Sequence, residues 1–325
     1  MSRIQILGFG HAIVDMLAKT TISVINEHQL EHGGMKLIQL DEVDRLLEQI
    51  DIRTTASGGS AANTIKHLAQ LGHQTAFIGG IGDDTNGNFF KEHAQDLNIF
   101  IPDQCQRANE KNHFSVVCIT PESERSMATF INEALSLSTD MIPDSLIENC
   151  EYVYIEAYLW SHPYSKAAIL KIAEAAKRQR KTILLTLADS QCVRANLDAI
   201  ANFCDQYADY VFANHEEICA LMGTNYIDEA RYECTRHKHV TWIITEGKHG
   251  ASVTHGVEYI HLPAISVPKV IDKTGAGDFF AAGFIHGLMK QMSLYDCGIE
   301  ASKAAAKVIQ QVGTQISMEK THPTN

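Results

Sequence analysis

The chain has 325 residues, 45% of them hydrophobic and 20% charged, with a formal net charge of -12. That describes a soluble globular protein with one large core and room for a smaller appendage. The acidic balance argues against a nucleic-acid partner, which needs a basic face, and no apolar stretch is long enough to span a bilayer.

The densest cationic run, Lys177-Arg178-Gln179-Arg180-Lys181, reads as the solvated end of a helix. Eight cysteines are widely spaced and mostly set in apolar runs, the pattern of reduced core thiols. His215-Glu216-Glu217 lacks the second histidine of a zinc helix, so a metal cage of side chains is not expected. The opening MSRIQILGFG enters a strand pattern without the basic and apolar regions of a secretion signal, which points to a cytoplasmic protein.

In chain order, Ile4 to Leu7 is an apolar run ending in Gly8-Phe9-Gly10. It lacks the third glycine and the amphipathic helix of a dinucleotide-binding turn. Asp15 stands alone among apolar neighbours, where a carboxylate needs a polar partner such as a hydroxyl-rich ligand. Asp41 to Ile50 has helical spacing. Gly58 and Gly59 then precede a helix that carries Asn63 in its first turn and stops at Gly72. Such a junction offers bare amides to a ligand, or is simply a helix capped by Ser57 or Ser60.

Thr75 to Gly82 reads as a strand and 87–97 as a helix, a β-α rhythm that implies a parallel sheet. The rhythm breaks between 100 and 134, where HFSVVCIT and RSMATFIN flank Pro121-Glu122-Ser123-Glu124 as a hairpin. With the β-branched segment 16–40, this hairpin suggests a separate small sheet that acts as a lid. The expected division is therefore a large α/β unit of residues 1–15, 41–99 and 135–325, and a small β lid of residues 16–40 and 100–134.

Alternation resumes with strands at 152–160, 182–188 and 210–214 and helices at 163–178 and 196–206. Asn214 and Glu217 open the next helix as a cap with its reciprocal glutamate, or as a carboxylate and amide that order water around magnesium. Val240 to Thr245 is a buried strand closing on Glu246-Gly247-Lys248-His249-Gly250, glycines that make a hairpin or clear room for a nucleotide. Val267 to Lys290 runs from a strand-like segment through Thr274-Gly275-Ala276-Gly277-Asp278 into a small-residue helix. That helix N-terminus attracts anions. A carboxylate beside it suits a general base, or merely the first turn of a helix. Two further helices are expected between Ser293 and Gln311, then a frayed end at Thr321 to Asn325.

GG-x-x-x-N, the lid hairpin, N-x-x-E, T-x-G-x-x-G and Asp272-Lys273-Thr274-Gly275-Ala276-Gly277-Asp278 together resemble the PfkB, or ribokinase-like, family of carbohydrate and nucleoside kinases. GGSAANTIKHLAQLG, HGGMKLI and VGTQ resemble its adenosine-kinase branch. The resemblance implies a mostly parallel α/β sheet flanked by helices, with a small β lid, and ATP- and Mg2+-dependent phosphoryl transfer to a primary hydroxyl, foremost the 5′-hydroxyl of adenosine. A sugar kinase acting on ribose or a ketohexose, or a non-catalytic sensor, is the alternative.

By the same resemblance Asp278 takes the acceptor proton, and the amides of Gly275, Ala276 and Gly277 hold the charge on the transferred phosphoryl group. Asp15, Gly58, Gly59 and Asn63 bind the acceptor hydroxyls, and Arg125 approaches the phosphates from the lid. Tyr158 or Trp160 lies near the acceptor base. Asn214, Thr245, Gly247 and Gly250 serve ATP, and Glu217 organises Mg2+ through water. His11 and Ala62 depart from the family pattern, and both are expected at the acceptor pocket.

Overall fold

A computed structural model of the chain describes residues 3–121, 125–311 and 313–314. The short apolar runs ILGF, TAFI, YVYIE and TILLT are buried almost throughout. Parallel strands covered by helices on both faces have that character. They belong to an eight-stranded sheet, ordered Glu258–Leu262, Ala251–His255, Thr241–Thr245, Tyr210–Asn214, Thr182–Thr186, Tyr152–Glu156, Ile6–Phe9, Thr75–Ile78. The first two strands are antiparallel additions at one edge, and the other six run parallel. Thr186, Asn214 and Thr245 therefore finish at the same edge of the sheet, the carboxyl edge where ligands collect in such folds.

A second sheet of five strands is ordered Met35–Leu37, Arg125–Phe130, Phe114–Ile119, Val14–Lys19, Asp51–Ser57. Its central strand FSVVCI is buried almost throughout, while the edge strand DIRTTAS is mostly exposed at its charged end. Charge on an edge discourages pairing with other chains. The hairpin of Phe114–Ile119 with Arg125–Phe130 is present.

The sheet assignment differs from the expected division. Asp51–Ser57 and Val14–Lys19 pair with each other, so Asp15 and the strand leading to Gly58 belong to the small sheet. Phe100 instead bridges to Ala76 of the large sheet, and Gln106–Arg107 pairs with Ile81–Gly82. Periodicity marks a strand but not the sheet it joins. Three local expectations also change. Ile22–Glu27 is helical, Ala157–Ser161 is a 3-10 turn beyond the strand, and one helix, Leu294–Val308, stands where two were expected. The segment 263–273 before the glycine turn forms no strand. Residues 122–124 and the expected frayed end 321–325 lie outside the described residues.

All eight cysteines are free and buried. Among the described residues, no helix is long and apolar enough to cross a membrane.

The strands approach so closely at the carboxyl edge that side chains are excluded. A Cβ on Gly79 would lie 2.1 Å from the carbonyl oxygen of Gly10. Gly79→Ala should therefore lower stability by about 2 kcal/mol or more, through overpacking against backbone that cannot yield. Urea denaturation checks this, and an unchanged midpoint would contradict the close approach.

Candidate active site

The helix Ala276–Met289 begins at the sequence's glycine turn. Gly275 takes the left-handed conformation at φ 74, and a Cβ there would meet Thr314 Cγ2 at 2.5 Å. Asp272 holds the turn from behind. Its carboxylate accepts from Thr274 N at 3.0 Å and Gly313 N at 2.7 Å, and pairs with Arg125 at 2.8 Å. Arg125 also donates to Thr274 Oγ1 at 3.1 Å, so the small-sheet residue expected near phosphate does reach the turn. Ala276 N donates to Lys273 O at 3.1 Å, which removes it from the three amides expected to receive an anion. Among the described residues, the amides of Gly275 and Gly277 donate to none.

Asp278 is clamped from a second helix, Ser60–Gln70. Ser60 Oγ donates to Asp278 Oδ1 at 2.7 Å and Asn63 Nδ2 to Oδ2 at 2.8 Å, while Thr64 Oγ1 donates to the Asp278 carbonyl at 3.2 Å. Burial pushes the Asp278 carboxyl up to about 7 against the pull of the Asn63 and Ser60 bonds, and Glu156 raises it further. A carboxyl poised near neutrality suits proton acceptance at physiological pH.

The second helix starts at Gly59, at φ 91, where a Cβ would lie 2.2 Å from His11 O. Neither Ser57 nor Ser60 caps it: Ser60 serves Asp278, and Ser57 pairs with Lys66 and His93. Its N-terminus is satisfied from the end of a large-sheet strand. Glu156 Oε2 accepts from Ala61 N at 2.8 Å, and Oε1 accepts from His11 N at 2.8 Å and His11 Nδ1 at 2.6 Å. Asp15 lies so close that a Cβ on Gly58 would sit 2.3 Å from its Oδ2. Burial pushes the Asp15 carboxyl up to about 6, with Lys66 and Arg125 pulling against it. Asn63 Oδ1 is buried without a partner and available to a ligand hydroxyl.

One cavity of about 980 Å³ joins these groups. Its lining includes His11, Asp15, Gly59, Asn63, Tyr158, Asn214, Glu217, Thr245, Gly275, Ala276, Gly277 and Asp278. Met35, Leu37, Met127 and Ile131 form an apolar wall at the small sheet.

Asn214 and Glu217 form the expected capping box, with the Glu217 carboxylate accepting from Asn214 N at 2.9 Å and Asn214 Nδ2 at 2.6 Å. Burial, then the negative charges of Asp189, Asp278 and Glu216, push Glu217 up to about 7. Like charge crowded at a cavity wall fits a hydrated divalent cation, held through water rather than by a cage.

Other expected residues lie off the cavity. Gly247 sits in a 3-10 turn, and a Cβ on Gly250 would lie 2.1 Å from Leu262 O, which the neighbouring hairpin explains. Trp160 is buried edge-on to Phe203, and Ala62 faces a small separate void beside Ser57 and Phe90. Ser60, Lys66 and Glu156 are additions to the expected set. Glu156 carries the same signal as Asp15, a lone carboxylate in an apolar strand.

The pfkB family of carbohydrate kinases matches residues 28–321. Two solved structures agree over nearly the whole fold. Adenosine kinase from Sinorhizobium meliloti superposes with a TM-score of 0.90 at 31% identity, covering 97% of each chain. A probable sugar kinase from Rhizobium etli CFN 42 has a TM-score of 0.87 at 30% identity, covering 97% of this chain and 96% of that one. Aminoimidazole riboside kinase of Salmonella typhimurium is 28% identical over 264 residues, 76% of this chain and 78% of that protein. The chain belongs to the PfkB family, and its fold and motifs are those of a phosphotransferase with a hydroxyl acceptor.

The raised Asp278 ionisation sets a sign for stability. Its folded value, about 7, lies above the ordinary 3.8, so ionising this buried group opposes folding as pH rises from about 4 to 7. Asp278→Asn should melt above wild type at pH 8, with the difference shrinking toward pH 4. Calorimetry across that range is the check, and a variant that melts lower at pH 8 would contradict the burial cost.

Proposed function

We propose that this protein is an ATP-dependent kinase that transfers the γ-phosphoryl group to a nucleoside primary hydroxyl, foremost the 5′-hydroxyl of adenosine. The observation that carries this reading is the position of Asp278. It lies between the helix N-terminus at Gly275-Ala276-Gly277 and the proposed hydroxyl-binding groups Asp15 and Asn63, on one cavity that continues to Asn214 and Thr245.

The acceptor hydroxyl gives its proton to the Asp278 carboxylate as its oxygen bonds to the γ-phosphorus. The bond from that phosphorus to the β,γ-bridging oxygen breaks, and ADP leaves with the electron pair. The amides of Gly275 and Gly277 face the charge on the transferred group, and Arg125 stands behind the turn. Mg2+, when bound near Glu217 and Asn214, neutralises phosphate charge. Asp15 and Asn63 orient the acceptor, since alignment supplies much of such a rate enhancement.

The apolar wall supports a nucleoside over a free sugar. Met35, Leu37, Met127 and Ile131 offer surface that suits a flat base and has no partner in a pentose. Tyr158 lines the same cavity and is the residue proposed to contact the base.

Two outcomes are expected with purified enzyme, ATP and magnesium. Asp278→Asn lowers turnover by roughly two to four powers of ten, the scale of losing a positioned base, and wild-type turnover would remove Asp278 from this role. Tyr158→Ala raises the adenosine KM about tenfold or more through lost stacking, with the ATP KM unchanged. ADP production against adenosine, inosine, guanosine, cytidine, ribose and fructose tests the acceptor. Turnover confined to ribose or fructose would replace the nucleoside with a sugar.

A further inference from the structure

A buried lysine lies behind this site with no role in the chemistry above. Lys66 stands one turn beyond Asn63 on the helix Ser60–Gln70 and is 8% exposed. Its Nζ donates to Ser57 O and, at 3.1 Å, to Ser57 Oγ. Ser57 is the last residue of the edge strand Asp51–Ser57 and immediately precedes Gly58, whose backbone packs against the Asp15 carboxylate. Lys66 thus joins the strand before the Gly58-Gly59 turn to the helix after it.

An ammonium only donates, so Ser57 Oγ accepts from Lys66, and the same oxygen meets His93 Nδ1 at 2.5 Å in a hydrogen bond whose direction follows the imidazole tautomer. Burial, then the nearby Lys66 charge, lower His93, which favours its neutral form. The charged or titratable groups facing Lys66 are Asp15 from the strand Val14–Lys19, Asp278 from the helix Ala276–Met289, and His93 from the helix Thr85–Asp96. Asp15 also faces Arg125, and Asp278 also faces Glu156. The small void beside the lysine is otherwise lined by Ala62, Ile65, Phe77, Phe90, Ala94 and Ile99.

A cation in such surroundings is costly unless paired. Among the described residues, no carboxylate lies within ion-pair distance of it, so its attraction acts across the low-dielectric interior. Burial pulls Lys66 down to about 8, against the opposing charges of Asp15 and Asp278.

We propose that Lys66 is a positioning residue that clasps the Gly58-Gly59 turn and supplies the buried cation facing Asp15 and Asp278. It rests on the proposed function for its kinetic consequence, and for its electrostatic one on the burial of Lys66, its bonds to Ser57 and the approach of Gly58 to Asp15. A lysine that merely ties strand to helix would be replaceable by any side chain that fills the space. A charge-supplying lysine would not.

The experiment has two arms on the full-length protein. In the first, which needs no substrate, carbon-13 titration of the aspartate carboxyls compares wild type with Lys66→Met. The Asp15 midpoint should rise by about one pH unit or more, the scale of losing a nearby opposite charge. An unmoved midpoint overturns the proposal, whatever the protein phosphorylates.

In the second, Lys66→Met should raise the acceptor KM about tenfold and move the acidic limb of kcat/KM to higher pH, with the ATP KM within about twofold of wild type. Lys66→Arg should return the limb toward its wild-type position. A loss equal at every pH, or shared by ATP, would assign Lys66 a structural role and overturn the proposal. Ser57→Ala, a one-atom deletion, runs alongside in case the methionine variant does not fold. It should move the Asp15 midpoint and the acceptor KM in the same direction by less, and no movement in either counts against the clasp.

Discussion

The arrangement depends on a carboxylate partly withdrawn from water and held by two donors. Asp278 is half-buried between the first turns of two helices at the cavity wall, with Ser60 and Asn63 donating to its two oxygens. Without those donors its desolvation would be uncompensated. With them it is held in one orientation and balanced near neutral pH. The second helix must then present Ser60 and Asn63 at a fixed height, which leaves neither Ser57 nor Ser60 free to cap it. Glu156 takes over that duty from the end of a large-sheet strand and binds the His11 backbone with its other oxygen. The half-buried acid is thus held by a helix that a second, fully buried acid fixes in place.

The proposed acceptor side draws on both sheets. Asp15 sits on a small-sheet strand, whereas Asn63 and Asp278 ride on helices packed against the large sheet. Arg125 reaches from the small sheet to Asp272 and Thr274 at the glycine turn. The Arg125–Asp272 pair is largely buried, so displacing one partner would leave an uncompensated charge. Position of the small sheet and readiness of the turn are coupled through that contact.

Much of this was legible in the residues. The β-α rhythm gives the large sheet because each run is buried on both faces, and the Asp278 turn announces itself by glycines before a helix. Asp15 is marked by its apolar neighbours. Glu156 has the same mark, but a carboxylate at a strand end is also an ordinary surface residue, and only the fold brings it to Ala61 N 95 residues away. Sheet membership was not legible. DIRTTAS has strand character, yet pairing with Val14–Lys19 rather than with the large sheet is decided by tertiary packing. Glycines 247 and 250 show the converse difficulty. A hairpin and a nucleotide pocket both favour glycine, and at Gly250 the carbonyl of Leu262 is sufficient reason.

The charges along the cavity constrain what can enter it. Asp15, Glu133, Asp189, Glu217 and Asp278 line it, whereas among the described residues Lys273 is its one lining lysine or arginine. A polyphosphate brought bare against this wall would meet like charge, and the turn amides of Gly275 and Gly277 carry only partial positive charge to offset it. Under the proposed function a hydrated divalent ion would shield the phosphate charge, and it would also offset the acidic neighbours that, after burial, raise Glu217. At the acceptor end the balance differs. A neutral, hydroxyl-rich ligand needs acceptors rather than compensation, and ionised Asp15 together with the unpartnered Asn63 Oδ1 supplies them. On the proposed function, one acidic cavity would take a charged donor and a neutral acceptor, with the cations Lys66 and Arg125 behind it balancing its charge.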